Sequence, residues 1–330
     1  MTSIEWTDAT WNPTVGCSRV SPGCEHCYAE RVAHRGMSPQ HRGLTVLGAH
    51  APRWTGEVRL VEDRLALPLS WRKPKRVFVD SMSDLFHEAL PMQAVARIFA
   101  VMAEASRHTF QILTKRPKRM RELVRSALFW DDVRAAAHAL DDELLAKLDH
   151  ACDDRSLPNV WLGVTAEDQQ RADERIPLLL ETPAALRFVS YEPALGPVRL
   201  DRLTSDEGLW YDGLRGRFSG NDGPPGPRLD WVIVGGESGP KARPFDLAWG
   251  RSVVEQCRAA GVACFVKQLG ARPEGAWEDL SIGMRALFHT MESARNHRFD
   301  LRGSFEDRKS NDPLEWPIDL RVRQFPEVRR

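Results

Sequence analysis

Cys17, Cys24 and Cys27 stand within eleven residues of one another in "VGCSRVSPGCEHCYAE", Val15 to Glu30, and they are half of the six cysteines in a chain of 330 residues. Thiols this close pair as disulfides or bind metal. The N-terminus "MTSIEWTDATWNP" lacks the apolar core of a secretory signal. The expected compartment is therefore the cytoplasm, where thiols stay reduced, and metal is the expectation. A structural zinc ion takes four protein ligands. His26 or His34 would have to be the fourth, His26 is awkwardly placed between Cys24 and Cys27, and no second CxxC pair exists. An iron–sulfur cubane is held by cysteine thiolates, usually four. With three, one iron stays open for a substrate or cofactor. Zinc and cluster are both carried forward. Gly16, Pro22 and Gly23 keep the segment a loop, whereas Cys152, Cys257 and Cys264 are scattered and expected to be ordinary buried residues.

Such a loop needs a scaffold. Short apolar runs recur along the chain: "RVFVDSMSD" from Arg76, "TFQILTKRP" from Thr109, "NVWLGVTAED" from Asn159, "LRFVSYEP" from Leu186, "LDWVIVGGESG" from Leu229 and "VACFVKQLG" from Val262. Nearly continuous apolar runs are expected of strands covered on both faces. Amphipathic segments such as "PMQAVARIFAVMAEAS", "RADERIPLLLE" and "DLAWGRSVVEQCRAAG" lie between several of them. With "TWNPTVGC" as a first strand, the pattern predicts α/β class: a partial or complete parallel (β/α) barrel of about seven strands. No GxGxxG follows a first strand, which weakens a dinucleotide-binding sheet. Each run ends in polar groups: Cys17, then Ser81 and Asp84, Lys115 and Arg116, Thr165 and Glu167, Tyr191 and Glu192, Glu237 and Ser238, Lys267 and Gln268. In βα barrels, functional groups collect at these strand ends.

The barrel is expected over 1–271, with the cysteine loop at 15–30 and an inserted acidic helical hairpin at about 126–158. A C-terminal appendage packed on the barrel is expected over 272–330, with a helix in "EDLSIGMRALFHTMESA"; the Gly/Pro-rich stretch 205–228 reads as a loop. No apolar stretch is long enough to cross a bilayer, so no membrane partner is expected. The net charge is +0, so any attraction to a polyanion must be local. Basic residues cluster in "SWRKPKR", ending at Arg76, and in "TKRPKRMRELVR", which includes Lys118 and Arg119. With Trp54, Trp71 and His87 as stacking surfaces, these strips suit phosphate backbones and unstacked bases, and they equally suit solvated helix faces.

"SIEWTDATWNPTVGCSRVSPGCEHCYAE", "SMSDLFH", "ILTKRP", "NVWLGVTAED", "VSYEPALGPV", "WVIVGGESGPKARP" and "FVKQLG" follow one another between Ser3 and Gly270. Together they resemble a phage-associated bacterial three-cysteine-motif family, a divergent branch of the radical S-adenosylmethionine superfamily. The resemblance implies a barrel of that type, a [4Fe-4S] cluster on Cys17, Cys24 and Cys27, and cleavage of S-adenosylmethionine to a 5′-deoxyadenosyl radical. The spacing here is CxxxxxxCxxC rather than the superfamily's commonest CxxxCxxC, and Tyr28 follows the third cysteine instead of an aromatic preceding it. The resemblance implies that Ser81, Ser83 and Asp84 meet the cofactor amine, that Lys115 or Arg116 meets its carboxylate, and that Gly235, Gly236, Glu237 and Ser238 approach its ribose. Glu192, Lys267 and Tyr28 are the catalytic candidates.

Similarity to repair enzymes such as spore photoproduct lyase makes a nucleic acid the implied substrate, DNA repair the implied lyase-type or modifying activity, and Lys118, Arg119 and Arg76 the phosphate contacts. A flavodoxin or ferredoxin is the implied reductant, and a further protein partner is possible. Two alternatives stay open: a zinc-dependent barrel hydrolase, and a non-catalytic phage-related nucleic-acid-binding protein whose cluster is structural.

Overall fold

The computed structural model describes residues 4–36, 38–49, 51–140, 153–204, 210–220, 223–239, 241–279, 299–301 and 312–327. Every apolar run named above forms a strand: β1 (Ala9–Trp11), β2 (Arg76–Val79), β3 (Thr109–Thr114), β4 (Val160–Thr165), β5 (Leu186–Tyr191), β6 (Trp231–Gly235) and β7 (Ala263–Gln268). They form one seven-stranded sheet in chain order, with β1 and β7 at its two ends. The β1/β2, β2/β3, β3/β4 and β6/β7 pairs are parallel. This is a mixed α/β fold compatible with a partial parallel barrel. Strand β4 is buried along its whole length, as its VWLGVT sequence requires of a strand covered on both faces.

The chain divides into two compact units, Met1–Val164 with Pro177–Phe188, and Thr165–Ile176 with Val189–Arg330. In the first, α1 (Tyr28–His34) follows the cysteine loop, α2 (Met92–Glu104) follows β2, and α3 (Pro117–Val124) and α4 (Ala127–His138) follow β3. Ser126 caps α4 by accepting from the Phe129 N–H. Phe129 and Trp130 of α4 meet Phe99 of α2 edge-on, with centroids 5.1 and 6.1 Å away. The start of the expected insertion is therefore an ordinary packed helix; residues 141–152 of it, Cys152 included, lie outside the described residues. Trp6 reaches Phe78 and Phe188, at 4.8 and 6.3 Å between ring centroids.

In the second unit, α5 (Gln169–Leu180) begins and α6 (Leu247–Ala260) follows β6. The stretch read as a Gly/Pro loop contributes two strands, Trp210–Asp212 and Arg217–Phe218, to a small antiparallel sheet begun by Leu203–Thr204. Tyr211 packs against Phe218 at 4.7 Å, a cross-strand aromatic pair that two-residue strands announce too faintly to be read from sequence. The end of the chain pairs with β7: Val266 N–H donates to the Val322 carbonyl and Gln324 N–H to that of Cys264. Most of the helix expected near 278–294 lies outside the described residues.

Candidate metal centre

Cys17 follows a short strand, Thr14–Val15, that pairs with Arg59–Leu60. Gly16 has a positive φ of 92°, and a Cβ there would run into the Glu57 carbonyl. Only glycine lets the chain turn at this point and hand Cys17 to the loop. Ser83, beyond β2, donates to the Gly16 carbonyl at 2.6 Å. Further on, Arg19 grips buried Glu30 with two hydrogen bonds, at 2.9 and 2.5 Å, which ties the loop to α1. Cys27 is the N-cap of α1 and packs with Trp54 against Ala29, Ala33 and Met82. Trp54 is half-buried in this packing.

All three cysteines are free thiols of intermediate exposure. Burial pushes Cys17 up to about 12, and the charges of Asp84, Cys24 and Cys27 add to this while Arg116 opposes it. Burial also raises Cys27, offset partly by backbone N–H groups and by the charge of Lys115. Two thiols so raised do not ionise together without a cation beside them, which suits the chemistry of metal-bound thiolates. Among the described residues, no three His, Cys, Asp or Glu side chains are grouped as ligands of a single ion.

Arg116 organises the surroundings. Its Nε donates to Glu88 at 2.7 Å. Its Nη1 reaches Asp84 at 3.2 Å and the Cys17 sulfur at 3.8 Å, and its Nη2 reaches the Ser18 carbonyl at 3.1 Å and Ser18 Oγ at 2.7 Å. A guanidinium has five N–H donors, and these five acceptors match them. Asp84 is equally occupied. Its Oδ1 accepts from Thr114 Oγ1 at 2.6 Å and Phe86 N–H at 3.1 Å, and its Oδ2 from Lys115 N–H at 3.0 Å and from Arg116. Asp84 and Arg116 thus clamp the ends of β2 and β3 to the cysteine loop.

Ser81 Oγ donates to Asn12 Oδ1 at 3.0 Å, and Tyr28 donates its hydroxyl to the Ser81 carbonyl at 2.5 Å. His87 Nε2 lies 2.8 Å from Ser18 Oγ. Asp80 escaped the sequence reading. It is fully buried with φ 59°, and its carboxylate accepts from the Thr14 N–H and hydroxyl at 3.0 and 2.8 Å. Burial pushes its carboxyl up to about 8 against the pull of those two bonds. The two acids in "DSMSD" were the available signal.

The expected phosphate contacts differ in placement. Arg119 donates to the carbonyls of His87 and Leu90. Arg76 begins β2, at the opposite end of that strand from Ser81 and Asp84, and pairs with Asp8 at 3.2 Å. Lys118 is exposed.

In the second unit, Lys267 Nζ and Gln268 Nε2 both donate to Glu192 Oε1 at 2.7 Å. Glu237 is held by Arg243 through both carboxylate oxygens, at 2.5 and 3.0 Å. A Cβ on Gly236 would lie 2.5 Å from the Leu269 carbonyl oxygen, so this glycine serves an approach of the chain to itself. Ser238 follows it, half-buried. Cys257 and Cys264 are buried.

No curated protein and no solved structure matches the chain. A family model described as "Protein of unknown function (DUF5131)" matches residues 1–309, and the chain belongs to that family.

Proposed function

We propose that this is a radical S-adenosylmethionine enzyme whose Cys17, Cys24 and Cys27 hold a [4Fe-4S] cluster and whose substrate is a nucleic acid. The observation that carries the proposal is three free thiols on one loop after β1, anchored to the ends of β2 and β3, with a buried guanidinium 3.8 Å from the first sulfur. A four-iron cluster takes each thiolate at a different iron, so its ligands need not converge on one point as those of zinc must. Three cysteines leave one iron of a cluster open for S-adenosylmethionine, whereas a structural zinc ion would need a fourth protein ligand. When bound, the cluster would supply the electron that cleaves S-adenosylmethionine to a 5′-deoxyadenosyl radical.

The chain's own residues have definite parts to play. Ser81 and Ser83 spend their hydroxyl hydrogens on Asn12 and Gly16, which leaves their oxygens to accept from an ammonium. Lys115, whose charge acts on Cys27, or Arg116 is the cation for the cofactor carboxylate. Lys118, exposed in the first turn of α3, is the phosphate contact best placed for a polymer. The test is anaerobic reconstitution followed by a dithionite assay, with and without UV-irradiated DNA. 5′-Deoxyadenosine should form with the parent and not with Cys24→Ala, and rise when DNA is present. Absence of 5′-deoxyadenosine under every condition would refute the proposal.

A further inference from the structure

Ser18, directly after the first cysteine, receives two donors. Arg116 Nη2 donates to its Oγ at 2.7 Å, and His87 Nε2 lies 2.8 Å from the same atom. His87 Nδ1 accepts from the Ala89 N–H at 3.1 Å. The ring must therefore carry its hydrogen on Nε2, and it donates to Ser18. This tautomer is the wrong one for a serine nucleophile, because a base would have to accept the hydroxyl proton there. It has a different consequence. Both lone pairs of Ser18 Oγ are filled, one of them by the guanidinium whose Nη1 lies 3.8 Å from the Cys17 sulfur. The neighbouring cysteine is the proposed metal ligand.

We infer that Arg116 is a positioning residue for the metal group, donating N–H to the Cys17 sulfur and raising the group's reduction potential, and that Ser18 Oγ holds the guanidinium in that position. The inference rests on the cluster reading above. Hydrogen bonds to the sulfurs and local charge set the potential of such clusters. Donors stabilise the more negative reduced state, so removing them makes reduction harder. His87 acts one step further out, holding Ser18 Oγ in place. Asp84 and Glu88 hold the guanidinium on its other edges, so the same clamp that shapes the loop aims its N–H at Cys17.

The experiment is an EPR-monitored redox titration of the anaerobically reconstituted full chain, comparing the parent with Ser18→Ala, Arg116→Lys and Arg116→Gln. At the parent's midpoint, the ratio of reduced to oxidised cluster should fall about threefold in Ser18→Ala. It should fall about tenfold in Arg116→Gln, a shift of about 59 mV for a one-electron couple, and Arg116→Lys should recover part of that loss. A purely structural role would change the amount of cluster but not its potential. If Arg116→Gln does not fold or load iron, Ser18→Ala decides alone. Loaded Ser18→Ala with the parent's ratio overturns the inference while leaving the cluster reading intact. A parent that assembles no cluster overturns both.

Discussion

Asp80 sits at the end of β2 with both oxygens committed to Thr14, and it couples the cysteine loop to pH. Its ordinary value is 3.8, and burial raises it to about 8. Between those values the unfolded chain releases the proton and the folded chain keeps it. The stability this contributes is complete below about pH 4 and is lost as pH rises through about 8. Asp80→Asn removes the titration, keeps an acceptor for the Thr14 N–H, and tolerates the left-handed backbone. Urea midpoints at pH 5 and pH 8 should show a fall in the parent that is clearly smaller in Asp80→Asn; equal falls would mean that Asp80 is ionised throughout. The three cysteines were legible because their type and spacing alone restrict the chemistry. Asp84 and Arg116 were legible only as polar groups at strand ends. That they are bound to each other depends on the register of β2 against β3, which no local pattern carries.

The cysteine loop depends on a single backbone geometry. Gly16 turns with φ 92° against the Glu57 carbonyl, and the next residue is the first cysteine. Gly16→Ala adds left-handed strain to a clash with backbone that cannot move aside, and should cost about 2–4 kcal/mol. It should lower iron loading together with the urea midpoint; an unchanged midpoint would contradict the loop geometry. The seven strands could be read from the sequence because each is an apolar run bounded by polar strand ends. The hairpin Thr45–Leu47 with Pro52–Trp54 and the small sheet around Tyr211 could not. Strands of two or three residues carry no periodicity, and their pairing is decided by side chains such as Tyr211 and Phe218 meeting across the turn.

Across the whole chain, acidic and basic residues balance, so polyanion binding has to come from particular side chains. Two of the three expected phosphate contacts hold the protein together: Arg119 on the carbonyls of His87 and Leu90, and Arg76 on Asp8. Basic runs look alike in sequence whether they face solvent or bond the chain's own carbonyls, and for that reason Arg119 and Lys118 could not be told apart. No helix among the described residues is long and apolar enough to cross a membrane. What distinguishes this chain from an ordinary α/β protein is the loop between β1 and α1, and the most direct measurement is its metal content. Iron, zinc and acid-labile sulfide should be determined in the anaerobically reconstituted protein and in Cys17→Ala, Cys24→Ala, Cys27→Ala and Cys152→Ala. About four iron and four sulfide per chain are predicted for the parent and for Cys152→Ala, with loss in each of the other three. Zinc alone in the parent, or iron and sulfide unchanged in Cys24→Ala, would contradict the cluster.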